Sequence, residues 1–132
     1  RVRKLAEAAR ERFGVELSYA DGSTEELKTD LVKDAEIILA AGKAGVQILS
    51  KNQLAQASDL KVAADVNAVP PAGIEGVDVH DDGSKGPGIG ALAIGNVKYQ
   101  VESGLFRRMI DSDKPLYLDF RDAYQLAREI CG

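Results

Sequence analysis

Asp65 and Asn67 stand two residues apart at the end of an apolar run, in "LKVAADVN" (60–67). On an extended strand, residues so spaced point to the same side. An acid and an amide together at a strand end suit recognition of a ligand's amide, hydroxyl or ring nitrogens. The same residue types bond to nearby backbone, and taken alone that local role is the simpler one. Ala41 and Gly42 lie in a second such stretch, "AAGKAG" (40–45). Small residues there let a flat or bulky ligand reach the backbone. A helix that followed would add free N–H groups and the positive end of its dipole. A tight strand-to-helix turn without any ligand would use the same residues. Lys98 is the third candidate. With Asn96 as cap it falls in the first turn of a helix, where a cation opposes the macrodipole. A residue placed against local preference can mark function, although a solvated lysine satisfies the pattern as well.

Much other chemistry is excluded. There is no G-x-S-x-G, no Walker loop and no metal-ligand spacing. Cys131 is the single cysteine and His80 the single histidine. An internal disulfide, a cysteine-based metal site and a histidine cluster are therefore impossible. The run "GPGIGALAIG" (86–95) only loosely resembles a phosphate loop, because it does not sit between a first strand and its helix. No catalytic residue is legible. The net charge of −4 and the lack of a basic run beyond the first few residues argue against a nucleic-acid surface. No apolar run is long enough to span a bilayer and no signal peptide is visible, so the chain reads as cytoplasmic, with no membrane partner.

The elements that must position these residues follow from periodicity. The chain has 132 residues, 45% apolar and 29% charged, which suits one soluble domain. It opens inside a helical pattern with no initiator Met, as a piece of something longer would. Leu5, Ala8, Ala9 and Phe13 form the first stripe, which Gly14 stops. "VELSYA" (15–20) alternates like a short strand, and Ser23 with Glu26 has the spacing of a capping box. "AEIILAAG" (35–42) reads as a parallel strand buried on both faces. A helix is expected over 44–58 and a further buried strand over 60–66. The order α-β-α-β-α-β means a parallel sheet with crossover helices. Residues 70–95 are rich in Gly and Pro, but the apolar pieces "GVDV" and "IGALAIG" imply that this long loop packs. One more helix is expected after Asn96, with Val97, Val101, Leu105 and Met109 in a stripe. A last one, capped by Asp119, should run from Phe120 to Ile130 with Tyr124 and Ala127 inward.

"ADVNAVPPAGIEGVD" (64–78), followed by "GALAIGNVK" (90–98), resembles the C-terminal part of the methylene-tetrahydromethanopterin dehydrogenases of methylotrophic bacteria. These carry a stretch close to A-D-Y-N-A-x-P-P-x-G-I-x-G-I-D, then G-A-L-x-I-G-x-x-K, and a strand ending near A-G-A-x-G that "AAGKAG" matches. The resemblance runs over nearly the whole chain. It implies a Rossmann-like parallel sheet with flanking helices, lacking the first strands of the fold. Residues 1–132 would be the C-terminal portion of an NAD(P)-binding domain whose N-terminal substrate domain is not in this chain.

The resemblance further implies hydride transfer from the methylene carbon of a C1-carrying pterin to NADP or NAD, giving the methenyl form. It implies a methylene-tetrahydromethanopterin or similar substrate, and a homo-oligomer. Position by position, Ala41 and Gly42 would lie beside the cofactor ribose and pyrophosphate. Asp65 and Asn67 would lie near the nicotinamide, and Lys98 would contact the cofactor or line the cleft. Arg1, Arg3 and Lys4 fall just past the strand whose end chooses between NADP and NAD. The sequence departs from the family at Lys43, where a small residue is expected. The substrate domain with its catalytic lysine, the first strand, the glycine-rich loop and the second strand are not in this sequence, so the segment alone should be inert. The competing reading is a dehydrogenase-related nucleotide-binding or scaffold protein without this activity.

Overall fold

The computed structural model describes residues 2–132; Arg1 lies outside the described residues. The elements are α1 (Val2–Phe13), α2 (Glu25–Val32), β1 (Ile37–Ala40), α3 (Lys51–Leu54), β2 (Val62–Asp65), β3 (Gly88–Ile89), α4 (Ala91–Ile110) and α5 (Phe120–Cys131). The strands make one parallel sheet in the order β1-β2-β3. Ile37 lies opposite Val62, Ala40 opposite Asp65, and Ala64 opposite Ile89. This is the expected α/β class, consistent with a Rossmann-like arrangement of few strands.

Alternation along the strands decides where the core sits. Ala40 and Ala63 turn inward against Val32, Leu49, Ile74 and Val77, with Ile38, Ile48, Leu54 and Leu60 around them. Ile74 is completely buried, which stabilises the fold by about 2 kcal/mol relative to leaving it in water. The long Gly/Pro-rich segment thus packs, as its apolar pieces require, and it contains β3. The other face of β1 is bare. Ile37 is 70% and Leu39 65% exposed. The expectation of a strand buried on both faces fails because β1 pairs only with β2 among the described residues, and one face carries no helix.

Other expectations are corrected as well. "VELSYA" forms no strand, and Val15, Leu17 and Tyr19 are exposed. An alternating pattern makes a strand only when a neighbour takes its backbone donors and acceptors. The cap of α2 is Thr24 rather than Ser23; its Oγ1 accepts from the Leu27 N–H at 3.3 Å. Leu5 and Phe13 of α1 remain exposed, although Phe13 meets Phe120 edge-on at 6.1 Å. The helix expected over 44–58 shrinks to α3, because Gly45 takes φ +72° and Leu49 bridges to Ile74 as extended chain.

The helix expected after Asn96 starts earlier, at Ala91, with Gly90 as its cap. The run Ala91–Ile94 is built of residues that helices accept readily. Asp119 does cap α5, in a capping box with Asp122. α4 and α5 pack closely where Gly104 meets Leu126, since a Cβ at Gly104 would fall 2.7 Å from Leu126 Cδ2. Arg108 and Glu129 pair across the two helices at 3.0 Å. Val101 is buried, whereas Met109 and Tyr124 are exposed rather than inward.

Candidate functional site

β1 and β2 are parallel and in register, so Ala40 and Asp65 close the sheet at the same end. That end is where open α/β sheets take their ligands. Two segments leave it, 41–50 from β1 and 66–74 from β2, and hydrogen bonds join them. Asn67 Oδ1 accepts from the Gly45 N–H at 3.3 Å and the Val69 N–H at 2.9 Å. Asn67 Nδ2 donates to the Pro71 carbonyl at 2.9 Å. The Gly73 carbonyl accepts from Ile48 N at 2.7 Å and Leu49 N at 3.0 Å. Asp65 closes the segment on itself: Oδ1 accepts from Asn67 N at 3.0 Å and Oδ2 from Ile74 N at 2.9 Å.

Asp65 is 2% and Asn67 8% exposed. Both are occupied with backbone, as in the simpler of their two sequence readings, but only part of it is local: Gly45 is 22 and Ile74 9 positions away. The amide has two acceptor sites and two donor hydrogens. Both acceptor sites and one hydrogen are in use, which leaves one N–H of Asn67 with no protein partner among the described residues.

Glycines shape this floor. Gly45 needs its left-handed backbone, which other residues adopt at a cost. A Cβ on Gly73 would stand 2.8 Å from Asp65 Oδ1. Gly45 and Gly73 escaped the sequence reading. The signals that could have found them are the second glycine of "AAGKAG" and the glycine placed two residues after the Pro-Pro pair.

Ala41 and Gly42 are exposed at the exit of β1. Gly42 sits against Ile48, whose Cδ1 would lie 2.5 Å from an added Cβ. The segment is held from below. Lys28 Nζ donates to the Ile48 carbonyl at 3.2 Å, and Gln53 Nε2 reaches Glu25 Oε2 at 2.8 Å. The hydrogen bond from the Lys28 ammonium is the main cause that holds the Glu25 carboxyl below the ordinary carboxylate range. No long helix starts at "AAGKAG", so a dipole contribution there is not available.

The structure thus brings Ala41, Gly42, Asp65 and Asn67 to one end of the sheet, and places Lys98 elsewhere. Lys98 is the eighth residue of α4, not in its first turn. Its ammonium pairs with Glu102 at 3.2 Å, and its side chain is 70% exposed. It lines an open groove of about 990 Å³ between α4 and α5, with Val97, Val101, Leu105 and Tyr124. The start of α4 is covered by backbone. Gly90 N donates to the Asp81 carbonyl at 2.7 Å and Leu92 N to the Val79 carbonyl at 2.9 Å.

No family model matches the chain. Over its whole length, however, the chain is 51% identical to the NAD(P)-dependent methylenetetrahydromethanopterin dehydrogenase of Methylorubrum extorquens, covering 46% of that protein. Along its whole length the chain thus resembles part of a methylenetetrahydromethanopterin dehydrogenase. It is also 29% identical, over 98% of its length, to the bifunctional protein MdtA of the same organism, again covering 46% of it. The chain therefore spans about half the length of the curated relatives it matches. Among the described residues no metal-holding group of acidic, histidine or cysteine side chains occurs, and no helix is long and apolar enough to cross a membrane.

Proposed function

We propose that this chain is the C-terminal portion of the Rossmann-type NAD(P)-binding domain of a methylenetetrahydromethanopterin dehydrogenase. The reaction is oxidation of the methylene to the methenyl C1-pterin by hydride transfer to NADP or NAD. The observation that carries this reading is the identity over the entire chain to a protein of that name. Placement within a larger domain has its own support: the bare face of β1, with Ile37 and Leu39 in water, which helices cover in a parallel α/β sheet.

The floor suits a flat dinucleotide. Ala41 and Gly42 are small and exposed where the ribose and pyrophosphate would lie. A Cβ at Gly42 would have to push aside the end of the Ile48 side chain. Asp65 and Asn67 hold the nicotinamide end of the floor, and Asn67 keeps one N–H for the ligand. Lys98 lines the separate α4–α5 groove, so its contact with the cofactor or the cleft rests on the sequence resemblance alone. When bound, the cofactor supplies the hydride acceptor; this chain orients it. The group that acts on the pterin belongs to the part of the enzyme outside this sequence. The 132-residue segment alone is therefore expected to be inert, and the working protein to be a homo-oligomer.

The test is turnover by the full-length protein. Methylene-tetrahydromethanopterin and NADP or NAD should give methenyl product and reduced nicotinamide in equal amounts. Nucleotide binding without turnover would instead favour a related nucleotide-binding or scaffold protein.

A further inference from the structure

We infer that Asp65 is a positioning residue: its carboxylate fixes the shape of the cofactor floor before the cofactor arrives and makes no contact with it. This rests on the dehydrogenase reading above and assigns the residue a different role within that site. The side chain is 2% exposed, so it does not reach a ligand on the surface. Both of its oxygens are engaged by backbone donors, Asn67 N and Ile74 N. Among the described residues it makes no ion pair, so those two N–H groups are its named support. A buried carboxylate is costly to keep unless its hydrogen bonds are needed.

Those bonds set both halves of the floor. Asn67 N is held from below, which fixes the residue whose amide bridges to Gly45 and Pro71. Ile74 N is held on the other side, next to Gly73, whose carbonyl receives Ile48 N and Leu49 N from the β1 exit. One carboxylate thus places the last donor free for the cofactor and the segment that carries Gly42. Gly73 is the matching part. Any side chain there would push on the carboxylate, since an added Cβ would stand 2.8 Å from Oδ1. An order imposed in advance lowers the cost of binding.

The test uses the full-length protein and three measurements. Asp65→Asn puts an NH₂ against one of the two backbone N–H groups. It should raise the KM for NADP or NAD about tenfold, with kcat less affected and the pterin KM unchanged. Gly73→Ala should raise the cofactor KM in the same direction by displacing the carboxylate. In the unliganded wild type, the amides of Asn67 and Ile74 should already exchange slowly with solvent. A folded Asp65→Asn protein with a wild-type cofactor KM would overturn the inference, whatever its melting temperature. So would rapid exchange of both amides until cofactor is added, a result that needs no variant to fold. If the wild type binds no nicotinamide cofactor at all, the dehydrogenase reading itself falls and this inference falls with it. An active wild type with unaffected variants would sink only the role given to Asp65.

Discussion

Asn67 Oδ1 accepts the Gly45 N–H at 3.3 Å and so joins the exits of two neighbouring strands across 22 positions of sequence. The same amide serves Val69 N and the Pro71 carbonyl. Asn67→Ala would orphan these three backbone groups in a partly buried place, at a cost of about 2 kcal/mol. In the full-length protein both the denaturation midpoint should fall and the cofactor KM should rise. Asn67→Asp keeps the acceptor for Gly45 and Val69 and should recover part of the stability. A large KM change with no loss of stability would contradict the bridging role.

Lys98 gives a prediction of opposite character. It lies inside α4 with Glu102 one turn on, so Lys98→Met removes an exposed i,i+4 pair. The expected cost is at most about 0.5 kcal/mol, rather than the gain a first-turn cation would give. If Lys98 touches the cofactor, its KM should rise at least several-fold, more at low salt where screening is weakest. An unchanged KM at low ionic strength would return Lys98 to the solvated surface.

Two glycines near the start of α4 should respond oppositely to alanine. A Cβ at Gly90 would fall 2.0 Å from the Asp78 carbonyl oxygen. Gly90→Ala must therefore push the 78–81 backbone off the helix start, and should destabilise by roughly 3 kcal/mol or more. At Gly95 nothing lies within 4 Å, and the residue is inside the helix. Gly95→Ala should stabilise by up to about 1 kcal/mol. Chemical denaturation of the two variants checks both signs.

The tie between α2 and α3 carries a pH dependence. The Lys28 hydrogen bond lowers the Glu25 pKa below its unfolded value. Its contribution is then complete above the ordinary carboxylate range and disappears as pH falls through the lowered folded value. Exchange of the Gln53 and Ile48 amides should accelerate in that acid window. Glu25→Gln should flatten the profile; an identical profile in the variant would remove Glu25 as its cause.

Much of this arrangement could be read from residue order. The two apolar runs became β1 and β2, and the Asp119 cap set the start of α5 where expected. What failed had physical causes outside local pattern. "VELSYA" has a strand's alternation but no partner ladder, and Gly90 begins α4 with no side-chain cap to announce it. At the site, the spacing of Asp65 and Asn67 and their tendency to bond backbone were visible, but not which distant N–H groups they take. That depends on Gly45 and on Gly73 and Ile74, which the fold brings from 22 and up to 9 positions away.

The central claim is that the strand-end floor holds the nicotinamide cofactor. The most direct measurement is a crystal structure of the full-length protein with NADP or NAD bound. The account predicts the dinucleotide lying over Ala41 and Gly42, with Asn67 Nδ2 within hydrogen-bond reach of it and Asp65 still bonded to Asn67 N and Ile74 N. A cofactor bound away from this floor, with segments 41–50 and 66–74 untouched, would contradict it.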